Sequence, residues 1–108
     1  MGEVKKDARE VINDLLAEQY KNAWDAKKAG RPVGWSTSVF PQELVEIFDL
    51  NLLYPENHAA GVAAKRESKE LIELAEGEGY SIDLCAYART NFGVLVKGGS
   101  DTLPIPEP

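Results

Sequence analysis

Cysteine and histidine, the commonest metal ligands and nucleophile partners, are nearly absent from this sequence. One cysteine and one histidine occur among 108 residues. A single cysteine excludes a disulfide within the chain, which is typical of a reducing compartment, so we expect a cytoplasmic protein. One cysteine and one histidine also cannot complete a four-ligand zinc site by themselves.

Positive charge and long apolar runs are also scarce. Twelve basic side chains stand against 18 acidic ones, for a net charge of -6. This balance argues against a nucleic-acid or anionic-membrane surface, because both need a basic patch. Apolar runs are too short to cross a bilayer, and residues 2–7 lack the apolar core of a signal peptide. The length suits one small domain with a core of its own.

The chain opens with a long amphipathic helix. Apolar residues recur at helical spacing from Val4 to Trp24, and lysines gather near the far end. Gly30 and Pro32 are typical stop signals. We therefore predict a helix over residues 3–29 and a first unit over residues 1–30.

Residues 31–108 alternate between strand and helix patterns. Short apolar runs at 32–36 and 51–55 predict strands, and helices are predicted from Pro41, from an Asn57 cap, over 68–76 and from Ser81 to Val96. The prolines of residues 100–108 predict an extended end. The predicted fold is α/β, with a small parallel sheet flanked by helices as in a partial Rossmann-like domain, and the long N-terminal helix packed outside it.

The cysteine falls near the predicted start of the last helix. Ser81 is a suitable N-cap, which places Cys85 about one turn into the helix. The free N–H groups there favour a thiolate, the form that attacks electrophiles and binds metals. The alternative is that Cys85 is a small buried apolar residue beside Leu84 and Ala86.

Polar residues mark two further corners where a helix begins. Ser36 and Ser38 lie at the first of these corners, and Glu56 and His58 lie at the second. Ser38 can instead bond local backbone, Glu56 can be a solvated acid, and His58 can be exposed or satisfied at a helix start. A Ser–His–acid hydrolase has little support without a Gly-x-Ser-x-Gly elbow, and neither common Gly-rich phosphate loop is present.

Four stretches taken together carry a family resemblance that covers the chain from about residue 31. They are Pro32-Val33-Gly34-Trp35-Ser36, Phe40-Pro41-Gln42-Glu43-Leu44, Tyr54-Pro55-Glu56-Asn57, and Gly79-Tyr80-Ser81 with Asp83-Leu84-Cys85 and Tyr87-Ala88-Arg89. Their order and spacing resemble the 2-hydroxyacyl-CoA dehydratase and benzoyl-CoA reductase subunit family. The ending Leu103-Pro104-Ile105-Pro106-Glu107 is similar to a segment of the same family.

The resemblance implies an iron–sulfur protein. Subunits of this family are several times longer and typically hold a [4Fe-4S] cluster by three cysteines, the first of which Cys85 matches. The chain is then expected to be an N-terminal fragment, with residues 31–108 the truncated start of an α/β domain. Alone, one thiolate cannot replace three, so the fragment is expected to hold no intact cluster and to be inactive.

The resemblance also implies a reaction and partners. The full protein is expected to remove water from an (R)-2-hydroxyacyl-CoA by a radical route, with a second homologous subunit and with electrons from an ATP-dependent iron–sulfur activator. Ser38 and Glu56 match polar residues near the iron, with inferred roles in hydrogen bonding or proton transfer. No role is implied for His58. The alternatives are ATP-driven reduction of benzoyl-CoA by the same family, or a non-catalytic assembly module.

Overall fold

Five helices and two short strands make up the described part of the chain. A computed structural model describes residues 5–99 and 105–108. In chain order the elements are α1 (Ala8–Lys28), β1 (Val33–Trp35), α2 (Gln42–Ile47), β2 (Asn51–Leu53), α3 (Pro55–Ala64), α4 (Ser68–Gly77) and α5 (Ala86–Lys97). None of these helices is long and apolar enough to cross a membrane.

Helix α1 begins with a capping box. The Asp7 side chain accepts a hydrogen bond from the backbone N–H of Glu10, and the Glu10 side chain accepts one from the backbone N–H of Asp7. The predicted helix is confirmed over Ala8–Lys28, while Glu3 and Val4 lie outside the described residues. Only its second half is anchored, because Ala23 and Ala26 are its buried residues.

The two strands pair in parallel and are joined by a crossover that contains α2. Val33 lies opposite Asn51, Gly34 opposite Leu52, and Trp35 opposite Leu53. Helix α1 packs against both strands, and α3 follows β2 directly. The predicted class is thereby confirmed as a helix-rich α/β fold with a small parallel sheet and a long N-terminal helix. The Rossmann-like relationship and the boundary at residue 30 stay predictions.

The second strand is shorter than predicted and α3 starts earlier. The sequence pattern predicts a strand that includes Pro55, with Asn57 as the helix cap, but β2 ends at Leu53 and Tyr54 occupies the N-cap position. Proline suits the first helical turn because its missing N–H would have no partner there. Glu56 consequently lies in the first turn of α3.

The prediction that α5 starts at Ser81 is wrong. The Ser81 hydroxyl accepts a hydrogen bond from the Asp83 N–H, and the Leu84 N–H binds the Ser81 carbonyl, which closes a turn rather than a helix. The helix begins at Ala86, with Cys85 at its N-cap position. Ser81 therefore caps its own turn, as serine does outside helices.

Helices α4 and α5 form the most closely packed pair. A Cβ added at Gly93 would lie 1.9 Å from the carbonyl oxygen of Leu71, so only glycine allows this approach. Leu71 and Ala75 are buried, as the helical spacing predicts. Helix α5 ends at Gly98, which has a φ of 83°, in agreement with the predicted stop.

Residues 105–108 have no regular secondary structure and contact β1 and α1. Ile105 and Pro106 are buried, and the Pro106 carbonyl accepts a hydrogen bond of 2.9 Å from the indole N–H of Trp35. Lys27 donates to the carbonyl of Glu107. The extended end predicted for residues 100–108 is thus consistent with 105–108, and residues 100–104 lie outside the described part.

Candidate functional site

A cavity of about 690 Å³ opens between the starts of α3 and α5, beside the end of β1. Its walls include Trp35, Glu56, Ala60, Cys85, Tyr87 and Phe92. Both corners that follow the parallel strands reach it, since Ser36 and Thr37 also line it. Cavities at the carboxyl ends of parallel strands are common ligand sites.

Cys85 faces this cavity as a free, exposed thiol. This position contradicts the alternative that it is a buried core residue. Cys85 occupies the N-cap position of α5, but its side chain makes no capping hydrogen bond. The sulfur therefore lies at the amino end of a helix without being used to stabilise that end.

The donor set fits an iron–sulfur cluster only in part. An exposed thiol on a cavity wall is a suitable ligand for iron, and clusters of this kind are held by several cysteine thiolates. Among residues 5–99 and 105–108, no three His, Cys, Asp or Glu side chains are grouped to hold a metal ion. This part of the chain can therefore contribute one cluster ligand, Cys85.

Ser38 and Glu56 contact each other across the two corners. The Ser38 hydroxyl donates a hydrogen bond of 2.6 Å to a carboxylate oxygen of Glu56. Glu56 is half-buried and lines the cavity, whereas Ser38 is exposed and reaches the site only through this bond. The other predicted choice, Ser36, lines the cavity and is half-buried.

A second side-chain bond joins the same corners. The Tyr54 hydroxyl donates to the side-chain oxygen of Gln42 at 2.7 Å, and the Gln42 side-chain nitrogen donates to the Phe40 carbonyl. The loop after β1 is therefore tied to the start of α3 at two points. This arrangement holds the Ser38 hydroxyl against Glu56.

From the sequence, His58 is expected to be either exposed or hydrogen-bonded at the start of a helix. The second alternative is correct, because His58 is fully buried and has a hydrogen-bond partner. Its ring Nδ1 lies 3.3 Å from the side-chain oxygen of Asn91 on α5. Sequence reasoning does not single out Asn91. The signal that could have found it is a pair of polar residues, Thr90 and Asn91, on the buried side of an otherwise apolar helical pattern.

Arg89 makes two tertiary contacts that the sequence pattern does not predict. Its guanidinium forms an ion pair with Glu76 of α4, and its Nε donates to the carbonyl of Leu84 at 3.1 Å. The Arg89 side chain is largely buried in this contact. It therefore fastens the turn that precedes Cys85 to the α4–α5 pair.

The cavity carries one formal charge. Glu56 is the one carboxylate among the described residues that line it, and no lysine or arginine is among them. The remaining walls are mainly aromatic or small and apolar. Such a surface suits an apolar ligand group better than an anionic one, because an anion would find no cation to pair with among these residues.

No family model matches the chain. Individual relatives do match it. Over 104 residues, 96% of the chain, it is 74% identical to the alpha subunit of (R)-2-hydroxyisocaproyl-CoA dehydratase of Clostridioides difficile. Over 107 residues, 98% of the chain, it is 45% identical to the alpha subunit of (R)-phenyllactyl-CoA dehydratase of Clostridium sporogenes.

A more distant relative extends the comparison. The chain is 26% identical to one of the subunits of benzoyl-CoA reductase of Thauera aromatica, over an alignment of 111 positions that includes 97% of the chain. The chain covers 26%, 26% and 25% of these three proteins. It therefore spans about a quarter of the length of the relatives it matches.

Proposed function

The chain belongs to the family of 2-hydroxyacyl-CoA dehydratase and benzoyl-CoA reductase subunits, and on this basis we propose that it is part of an (R)-2-hydroxyacyl-CoA dehydratase alpha subunit. The 74% identity over nearly the whole chain is the observation that supports this most. The reductase alternative has weaker support, since its relative is 26% identical. The proposed reaction is a radical removal of water, in the cytoplasm, with a second subunit and an ATP-dependent activator.

In this proposal Cys85 is one ligand of a [4Fe-4S] cluster, and the other ligands lie outside the described residues. A bound cluster supplies one-electron chemistry next to the substrate. The exposed thiol of Cys85 and its place on the cavity wall support this role. The cavity then receives the acyl end of the CoA thioester.

Glu56 and Ser38 are the proposed proton-handling pair. Loss of water from a 2-hydroxyacyl group removes the hydroxyl from C2 and a proton from C3. Glu56 is the acid in the described cavity wall that can take or return a proton, and the Ser38 hydroxyl orients its carboxylate.

We also propose an apolar acyl group. An acyl chain with a free carboxylate, such as 2-hydroxyglutaryl, would bring its charge near Glu56 without a lysine or arginine in the described lining. A branched aliphatic or phenyl group instead buries apolar surface against Trp35, Tyr87 and Phe92, at about 25 cal/mol for each Å² removed from water.

Iron analysis of the full-length protein tests the cluster role. We expect anaerobically purified wild type to be brown and to contain iron and sulfide, and Cys85→Ala to lose most of the iron. Ser81→Ala is the matched control, because Ser81 lies in the adjoining turn and does not line the cavity. Full iron content in Cys85→Ala would remove Cys85 from the ligand set, and iron-free wild type after reconstitution would favour the assembly-module alternative.

A substrate panel tests the reaction and the acyl preference. With the second subunit and activator present, we expect dehydration of 2-hydroxyisocaproyl-CoA and phenyllactyl-CoA, with kcat/KM at least about tenfold higher than for 2-hydroxyglutaryl-CoA. Equal values for all three would contradict the apolar preference. Reduction of benzoyl-CoA without dehydration of any hydroxyacyl-CoA would move the protein to the reductase branch.

A further inference from the structure

The buried side-chain amide of Asn91 makes three hydrogen bonds, two of which join α5 to α3. Its nitrogen donates to the carbonyl of Pro55 at 2.9 Å and to the carbonyl of Tyr87 at 3.0 Å. Its oxygen lies 3.3 Å from Nδ1 of His58, and both side chains are buried. Because both amide N–H groups face carbonyls, the oxygen faces the ring, which assigns Nδ1 of His58 as the donor of this bond.

Two of these bonds end near Glu56 and Cys85, which are two of the three predicted site residues. Pro55 immediately precedes Glu56 in the first turn of α3, and Tyr87 follows Cys85 by two residues at the start of α5. One side chain therefore contacts the backbone beside Glu56 and the backbone beside Cys85. Its position influences how far apart the two site residues are held.

Apolar contacts alone would not fix that separation. Helix α3 presents Ala59 and Val62 to the interior, and contacts between small apolar side chains are not directional. Hydrogen bonds to defined carbonyls are directional, and a buried amide that slid away from them would lose its partners. The Asn91 bonds thus select one register of α5 against α3.

We propose that Asn91, supported by His58, is a positioning residue that sets the placement of Glu56 relative to Cys85. The inference rests on the proposed function for the roles of those two residues. The hydrogen-bonded link itself does not depend on that function. The consequence is that a change at Asn91, which lines the cavity but is no cluster ligand in this proposal, lowers turnover while the iron is retained.

The adjoining residue provides a matched control. Thr90 is equally buried on the same helix, but its hydroxyl donates to the carbonyl of Ala86, within α5. Asn91→Leu removes all three bonds with the same number of side-chain heavy atoms, whereas Thr90→Val removes one bond that does not reach α3. Each variant removes a hydrogen bond of a buried side chain, so both are expected to lower stability.

The experiment uses the full-length dehydratase complex, with kcat expressed per bound iron. We expect Asn91→Leu to retain iron, to change KM less than about threefold, and to lower kcat at least about tenfold. Thr90→Val is expected to keep kcat within about twofold of wild type. Equal kcat per iron in the two variants would overturn the proposal.

Hydrogen exchange of the same proteins provides a readout that needs no activity. Asn91→Leu should speed amide exchange in residues 57–64 and in α5, while Thr90→Val should speed it in α5 alone. Unchanged exchange in residues 57–64 of Asn91→Leu would show that the link does not hold α3. If wild type lacks iron or dehydratase activity, the proposed function fails, and the exchange result still decides whether Asn91 couples the helices.

If Asn91→Leu does not fold, variants of His58 test the proposal in its place. His58→Asn places an amide nitrogen near the position of Nδ1 and can still donate to Asn91, whereas His58→Leu cannot. We expect His58→Asn to retain more than half of the wild-type kcat per iron. His58→Leu is expected to lose as much kcat per iron as Asn91→Leu. Equal loss in both His58 variants would contradict the role of the His58–Asn91 bond.

Discussion

The hydroxyl of Ser38 and the carboxylate of Glu56 lie 2.6 Å apart, although 18 residues separate them in the sequence. One belongs to the loop after β1 and the other to the first turn of α3. The parallel pairing of β1 with β2 places these corners at the same end of the sheet. The contact therefore follows from the topology.

Replacement of Glu56 by Gln is expected to lower kcat of the full-length enzyme by about 100-fold or more, because the amide cannot accept the substrate proton. Ser38→Ala should cost about tenfold, since the carboxylate remains but loses its orienting donor. Steady-state kinetics of dehydration give both values. Glu43→Gln, an exposed acid in the first turn of α2, is the control. Activity of Glu56→Gln within twofold of that control would remove Glu56 from proton transfer.

Gly93→Ala is expected to destabilise the fold by about 3 kcal/mol, because the new methyl group would overlap the Leu71 carbonyl. Chemical unfolding of the full-length protein measures the change. Gly77→Ala is the matched control on α4, where an added Cβ meets no atom within 4 Å. That variant should be neutral or stabilising by up to about 1 kcal/mol. Similar losses in the two variants would show that α4 and α5 pack less closely.

Arg89→Leu is expected to cost about 2 kcal/mol of unfolding free energy, because it removes a charged donor from the Leu84 carbonyl and leaves Glu76 unpaired. The turn before Cys85 should also exchange its amides faster. Lys69→Leu breaks an ion pair with Glu73 that is exposed on both sides, and it should cost less than about 0.5 kcal/mol. Comparable losses would mean that the Arg89 contact contributes no more than a surface pair.

Burial raises the pKa of the Tyr20 phenol above its ordinary value of 10.0. The folded state favours the neutral phenol, so this contribution to stability is complete below pH 10 and is lost as the pH rises through the folded-state pKa. Phenolate absorbance during an alkaline titration should show a late component from Tyr20. Tyr20→Phe should remove that late component, and its persistence would assign it to another tyrosine.

Helical spacing is a good guide to which elements form, and a weaker guide to where they begin. The pattern locates all five helices and both strands of the described chain, because apolar periodicity reflects burial against neighbours. It misplaces the start of α5, since Ser81 is chemically suited to cap either a helix or a tight turn. The ion pair of Arg89 with Glu76 and its bond to Leu84 are tertiary contacts, which no local pattern encodes.

The sequence predicts which residues belong to the candidate site, but it does not predict the contacts between them. The sequence points to Cys85, Ser38 and Glu56, and the structure brings Ser38 to Glu56 and places Glu56 and Cys85 on one cavity. Their catalytic and ligand roles stay predictions. The sequence does not single out Asn91, because the role of an asparagine within a helix depends on which carbonyls lie opposite it in the folded structure.

Trp35 lines the cavity with its ring while its indole N–H binds the carbonyl of Pro106. An indole emits at a wavelength and intensity that depend on the polarity around it, so this residue is an intrinsic fluorophore placed on the cavity wall. The sequence has one other tryptophan, Trp24 on α1, and Trp24→Phe leaves Trp35 as the only tryptophan of this chain. The emission of Trp35 can therefore report, without a label, when a ligand enters the cavity.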